Sequence, residues 1–99
     1  MYGENKNVKI CGISSVVPER VVDNADLIDS LESRRMKRQI LLTGIKRRHL
    51  CDKGQAASDL ACVAAEKLLD HLKWDREEIH VLVFVTQSPD LAAPSTAML

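Results

Sequence analysis

Residues 57–72 and 79–86 constrain the fold most. Leu60, Ala64, Leu68 and Leu72 recur every four residues, Ala61, Val63, Ala65 and Leu69 widen the apolar stripe, and Asp59, Glu66, Lys67 and Asp70 mark the wet face. This is the periodicity of an amphipathic α-helix, and its many alanines predict close packing against a sheet. Asp75 to Glu78 form a polar turn, after which IHVLVFVT, residues 79–86, runs almost unbroken through β-branched and apolar side chains. Such a run is the pattern of a strand covered on both faces. VKICGI, residues 8–13, predicts an earlier strand ending near Ser14. Strand, helical crossover and buried strand make an α/β unit with parallel pairing, right-handed by the usual rule.

Between these elements, Pro18 and its polar neighbours mark a loop. Asn24 reads as a helix N-cap with Asp26 in the first turn, and Ala25, Leu27, Ile28 and Leu31 give a short helix ending near Ser33. The basic run to Gln39 begins a second helix with Met36, Ile40 and Leu41 turned inward, broken at Thr43-Gly44. Turn chemistry returns at Ser88-Pro89-Asp90, and Ser95 reads as the N-cap of a helix that is not completed before Leu99.

Ninety-nine residues allow one small domain and a modest core. Tyr2, Trp74 and Phe84 are the only three aromatics, so that core must be built from Leu, Val, Ile and Ala. Either the fold is compact and aliphatic or the chain is part of something larger, and the unfinished helix favours the second. The apolar run Val81 to Val85 is far short of the roughly 20 residues of a membrane span. No apolar leader follows Met1, so a cytoplasmic location and no membrane association are expected.

The 14 basic and 14 acidic side chains cancel, which argues against nucleic acid or a membrane surface as partner. The sum hides an asymmetry. Arg34, Arg35, Lys37, Arg38, Lys46, Arg47 and Arg48 follow one another with no acid between them, so residues 34–48 carry +7 and the remainder −7. This segment is either a solvated helix face and turn, or a docking surface for an anion such as a coenzyme phosphate or an acidic partner protein.

No glycine-rich phosphate loop and no metal-ligand spacing occur, and His49, His71 and His80 are separate singles with structural or solvated roles. Cys11, Cys51 and Cys62 are odd in number and share no CxxC spacing, which argues for reduced thiols. Cys11 and Cys62 are expected in the core, and Cys51 lies in a loop without a partnering base, so no nucleophile and no metal site is assigned.

Five pieces in collinear order carry a resemblance: NADL (24–27), TGIKRRH (43–49), the Asp59-Leu60-Ala61 helix, VLVFVTQSPD (81–90) and AAPSTA (92–97), preceded by VKICGISSVVPERVVDN. Together they resemble the start of beta-ketoacyl-acyl carrier protein synthase III and related thiolase-fold condensing enzymes. The resemblance implies the N-terminal portion of an αβαβα layered thiolase-like fold, a partial domain over residues 1–99 that stops before the catalytic cysteine. It also implies a two-step reaction in fatty acid biosynthesis. A cysteine thiolate takes an acyl group from a coenzyme A thioester, and the acyl enzyme then condenses with malonyl-acyl carrier protein, with His and Asn stabilising the enolate. Those catalytic positions fall downstream of Leu99, and none of Cys11, Cys51 or Cys62 matches the nucleophile's motif, so the chain alone is expected to be inactive. Coenzyme A thioester is then a substrate rather than a permanently bound cofactor, acyl carrier protein a partner, and a homodimer the expected assembly.

Two departures bear on substrate binding. Common members carry a Trp five residues before the Thr-Gly and an Arg immediately before it, which help hold the coenzyme's adenine and phosphate; here Arg38 and Leu42 stand there. Arg38 is the candidate to stack on adenine or meet a phosphate. Arg47 and Arg48 keep the pattern after TGI, as coenzyme contacts or, with His49, as tethers within the fold. The residue before Pro-Ser borders the partner subunit's acyl tunnel in the family. It is a Phe in the acetyl-specific type and Ala93 here, which predicts room for a larger primer. Two other readings stand beside this one: a non-catalytic α/β module that docks acyl carrier protein or another acidic protein, and another thiolase-fold relative such as a hydroxymethylglutaryl-coenzyme A synthase or a polyketide-type synthase.

Overall fold

The computed structural model describes residues 3–98, a mixed α/β chain that divides into two compact units, residues 17–55 and residues 3–16 with 56–98.

In the 17–55 unit, β1 (Arg20–Asp23) pairs antiparallel with β2 (Arg47–Leu50), and α1 (Asn24–Ser30) and α2 (Arg34–Leu42) fill the excursion between them. The register sets Arg20 opposite Leu50, Val21 opposite His49, Val22 opposite Arg48 and Asp23 opposite Arg47. Asn24 is not the N-cap. Asp23 holds that position without a side-chain cap bond, and Asn24, the first helical residue, is only 7% exposed. Its backbone N–H donates to Lys46 O at 2.8 Å and its Nδ2 to Ile45 O at 2.7 Å, so the side chain is drawn inward to satisfy a loop carbonyl. α1 stops at Ser30, a turn before the expected end near Ser33.

α2 starts where Ser33 Oγ accepts from Met36 N. It stops at Thr43, followed by Gly44 at φ 69°, a left-handed conformation that suits a residue without Cβ. Met36 and Leu41 were expected inward but are 50% and 66% exposed, and of the trio only Ile40 is half-buried. α2 packs against α1, a helix of only seven residues, which offers little apolar surface to bury against.

The second unit centres on α3, Ala57–Leu72, with the bounds the periodicity predicts. Asp59 Oδ2 accepts from Ala56 N at 2.8 Å at its start, and Lys73 closes its end in the left-handed conformation at φ 57°. Leu60, Ala64, Leu68 and Leu72 are half-buried, so the stripe does face neighbouring chain. Arg76–Glu78 and Thr96–Met98 are single 3₁₀ turns, the latter starting directly after Ser95.

The two strands expected beside α3 do not form a ladder. Residues 8–13 and 79–86 exchange no backbone hydrogen bond among the described residues, and the parallel, right-handed unit is absent. Burial nevertheless alternates as in a strand over 11–16 and 83–86, whereas residues 79–83, Leu82 included, are all exposed. Gly12, Ser14 and Val16 are half-buried while Cys11, Ile13 and Ser15 are exposed; Phe84 and Thr86 are half-buried while Val81, Val83 and Val85 are 78%, 79% and 90% exposed. Their inner faces meet α3. A Cβ on Gly12 would stand 2.8 Å from Leu68 Cδ1, and Phe84 shares a recess with Ala61 and Ala65. The chain thus supplies a cover for one face of the 79–86 run and not for both. Among the described residues no hydrophobic side chain is fully buried.

Candidate functional site

The seven-charge segment occupies α2, the loop after it and β2. Arg34, Arg35 and Arg38 are exposed on α2, which carries no acid in its first turn and no base in its last. Their charges crowd the end of the helix whose free N–H groups already carry partial positive charge, so helix and side chains add to one positive potential. None of the seven is in a salt bridge among the described residues; the two pairs present are Arg20 with Asp52 at 3.3 Å and Arg76 with Glu66.

β2 sorts the two arginines after TGI by strand alternation. Arg48 points inward, half-buried, and donates through Nη1 to Asn24 Oδ1. Arg47 points outward and lines an open recess of about 510 Å³ with Lys46, His49, Val21 and Gly44. His49 is fixed there by a 2.6 Å contact between Nδ1 and Pro18 O. Arg48 is thus hydrogen-bonded within the fold, and Arg47 is exposed on the other face of β2. Lys46 and His49 join the same recess, although only their membership of a basic string was legible beforehand. Beside it, Ile28, Ile40, Leu41 and Ile45 line an apolar cavity of about 390 Å³ between α1 and α2. A cationic recess beside an apolar one suits a ligand with an anionic head and a less polar stem.

Ala93 lies in the other unit, exposed, between Asp90 and Thr96, and the Ala93–Pro94 peptide is cis. The three thiols are free and exposed. For Cys11 and Cys62 this corrects the expected core position. Cys11 falls on the outer side of the alternation opposite Gly12, and Cys62 borders a shallow recess of about 210 Å³ rather than a closed core. Among the described residues no cluster of His, Cys, Asp or Glu has metal-binding geometry, and no helix is long and apolar enough to cross a membrane.

No protein-family profile matches the chain. Individual relatives do. The chain is 41% identical over 97 residues to the beta-ketoacyl-[acyl-carrier-protein] synthase III of Koribacter versatilis, covering 95% of this chain and 28% of that protein. It is 40% identical over 96 residues to the synthase III of Rhodopirellula baltica, covering 96% and 27%, and 37% identical over 95 residues to that of Ehrlichia canis, covering 93% and 28%. Among solved structures, a 3-oxoacyl-(acyl-carrier protein) synthase from Burkholderia xenovorans superposes with a TM-score of 0.72 at 33% identity, over 87% of this chain and 26% of that one. The chain thus spans little more than a quarter of the length of the relatives it matches. Sequence and fold agree over about nine-tenths of its length: this chain is similar to the corresponding part of the beta-ketoacyl-[acyl-carrier-protein] synthase III proteins and has the fold of that part of a 3-oxoacyl-(acyl-carrier protein) synthase.

Proposed function

We propose that these 99 residues are the N-terminal portion of a 3-oxoacyl-[acyl-carrier-protein] synthase III, a cytoplasmic homodimer that condenses an acyl-coenzyme A primer with malonyl-acyl carrier protein. The observation that carries this is the collinear match over 95% of the chain at 41% identity. In the reaction a cysteine thiolate attacks the primer's thioester carbonyl and the coenzyme's thiolate leaves. Decarboxylation of the malonyl group then gives a carbanion that attacks the acyl enzyme, releasing carbon dioxide and restoring the cysteine. That cysteine lies outside this chain, whose own residues bind and shape.

Arg47, with Lys46, is proposed to meet a coenzyme phosphate, because both line an exposed recess and neither is in a salt bridge among the described residues, although Asp23 stands opposite Arg47 in the ladder. Arg38 is proposed to take the place of the adenine-stacking Trp, its planar guanidinium offering a face to a base and charge to a phosphate. Ala93 is proposed to border the partner subunit's acyl tunnel, where a methyl in place of a ring leaves volume for a primer longer than acetyl.

The test is primer transfer by the full-length protein across acyl-coenzyme A chain lengths, with release of carbon dioxide on addition of malonyl-acyl carrier protein. Condensation with a preference beyond acetyl is expected; absence of any acyl transfer overturns the enzyme reading. The exposed arginines of α2 favour a second reading, a module that docks an acidic carrier protein without chemistry. It predicts carrier-protein binding by residues 1–99 alone and no downstream cysteine in the coding sequence.

A further inference from the structure

Residues 91–95 form an arch with no internal support. Among the described residues, no backbone N–H of Leu91, Ala92, Ala93 or Ser95 makes a hydrogen bond, and Pro94 has none to give. The position of the arch is therefore set at its two ends, which are joined. The N–H of Asp90 donates to Thr96 Oγ1 at 3.4 Å, and Thr96 is only 9% exposed, far less than its neighbours. The closed base is then tied to the rigid element of the unit, because Ser58 Oγ in the first turn of α3 donates to Asp90 Oδ2. Thr96 and Ala97 lie with Ser58, Ala61 and Phe84 around the 210 Å³ recess, so the far end of the arch is seated against α3 as well.

We propose that Ser58, Asp90 and Thr96 are positioning residues that fix where Ala93 stands and thereby set the acyl chain length the synthase accepts. The inference rests on the assignment of Ala93 to the tunnel wall made under the proposed function. None of the three touches the acyl chain. They act through the backbone of the arch, whose displacement by even a fraction of an ångström changes the width of a wall built from a single methyl group. Losing either tie frees one end of a five-residue segment whose other hydrogen bond lies at its far end, where Ser95 O accepts from Met98 N–H at 2.9 Å, so the wall becomes mobile and selection between chain lengths weakens.

The experiment compares kcat/KM for acetyl and longer acyl-coenzyme A primers in the full-length protein carrying S58A, D90A or T96V, against S58T, D90N and T96S. Asn at position 90 keeps an oxygen acceptor for Ser58, and Val at position 96 keeps the shape of Thr while removing its acceptor. The expected result is a change of about fivefold or more in the ratio between primers for S58A, D90A and T96V, about what the loss of one hydrogen bond supplies. The conservative variants stay within about twofold of the parent. A uniform loss across all primers, or D90N behaving as D90A, overturns the inference. A93F separates the two levels. If it leaves the chain-length profile unchanged, or the protein transfers no acyl group, the tunnel-wall reading falls and the inference with it. If it shifts the profile while D90A and T96V do not, the inference alone falls. Should D90A fail to fold, T96V with its T96S control decides.

Discussion

Arg48 donates to the side-chain oxygen of Asn24, and the same amide donates to Ile45 O at 2.7 Å. One buried residue at the β1–α1 junction thereby holds both β2 and the loop that precedes it. Two of its partners would otherwise be left unsatisfied in a half-buried place, so truncation costs more than the bonds themselves contribute. Asn24→Ala should destabilise the protein by about 1–3 kcal/mol, and Asn24→Leu by at least as much, because it fills the space without an acceptor for Arg48. Denaturant melts monitored by circular dichroism check this; a midpoint unchanged by either substitution would refute it.

The neighbouring arginine should behave in the opposite way. Arg47 is exposed and, among the described residues, makes no salt bridge, so Arg47→Ala should leave the melting temperature within about 1 °C, the small effect expected of an exposed side chain. If the recess takes a phosphate, the same change should weaken coenzyme A binding to the full-length protein by about tenfold at low salt, and less at high salt. Arg48→Ala should cost stability first. Calorimetric titrations at two ionic strengths beside thermal melts separate the two arginines, and equal effects of both would show that strand alternation does not divide their roles.

Gly12 lies against α3 so closely that an added Cβ would stand 2.8 Å from Leu68 Cδ1 and 3.4 Å from Leu72 Cδ2. Because the obstacle is the tip of a side chain, Gly12→Ala should cost only about 1 kcal/mol as Leu68 changes rotamer, while Gly12→Val should cost about 2–3 kcal/mol. Pairing Gly12→Val with Leu68→Ala should recover part of that loss, giving a clearly non-additive double-mutant cycle. Strict additivity in the melts would mean that the two residues do not meet.

Lys73 terminates α3 at φ 57°, a conformation in which a side chain is strained. Lys73→Gly should therefore stabilise the protein by about 0.5–1 kcal/mol, unless the gain is consumed by the greater freedom of glycine in the unfolded chain. The thermal midpoint reads the sign directly, and a loss of stability would exclude relief of strain as the dominant effect.

Among the described residues, 80–86 make no backbone–backbone hydrogen bond, and they present the exposed Val81, Val83 and Val85, with no charged side chain from Ile79 to Pro89. A neutral, β-prone edge of this kind pairs readily with another copy. Residues 1–99 expressed alone should self-associate in sedimentation velocity runs, and Val83→Lys should shift the population toward monomer. A parent chain that is already monomeric and unfolds cooperatively would contradict this.

The helix at 57–72 was legible to the residue because its information is local: a four-residue repeat, an acidic first turn and a polar turn beyond it all lie within one stretch of chain. The strand at 79–86 was legible only as a preference. Its last four residues alternate in burial as a strand does, but ladder hydrogen bonds require a neighbour, and no periodicity within a segment says whether one is supplied. The same limit explains Met36, Leu41, Cys11 and Cys62, whose apolar or thiol character predicted burial that the surrounding chain does not provide.

For the candidate site, sequence determined the unopposed charge of residues 34–48, the collinear motifs that tie the chain to the synthases, and the small side chain at position 93. Tertiary structure decided which of those charges is free. Two adjacent arginines are alike in sequence, yet a strand sends consecutive side chains to opposite faces, and pairing with β1 turns Arg48 toward Asn24 and Arg47 toward the open recess. It decided equally that Asp90 and Thr96 meet, because a contact between residues held by a loop and a helix is fixed by where the backbone folds, not by what either residue is.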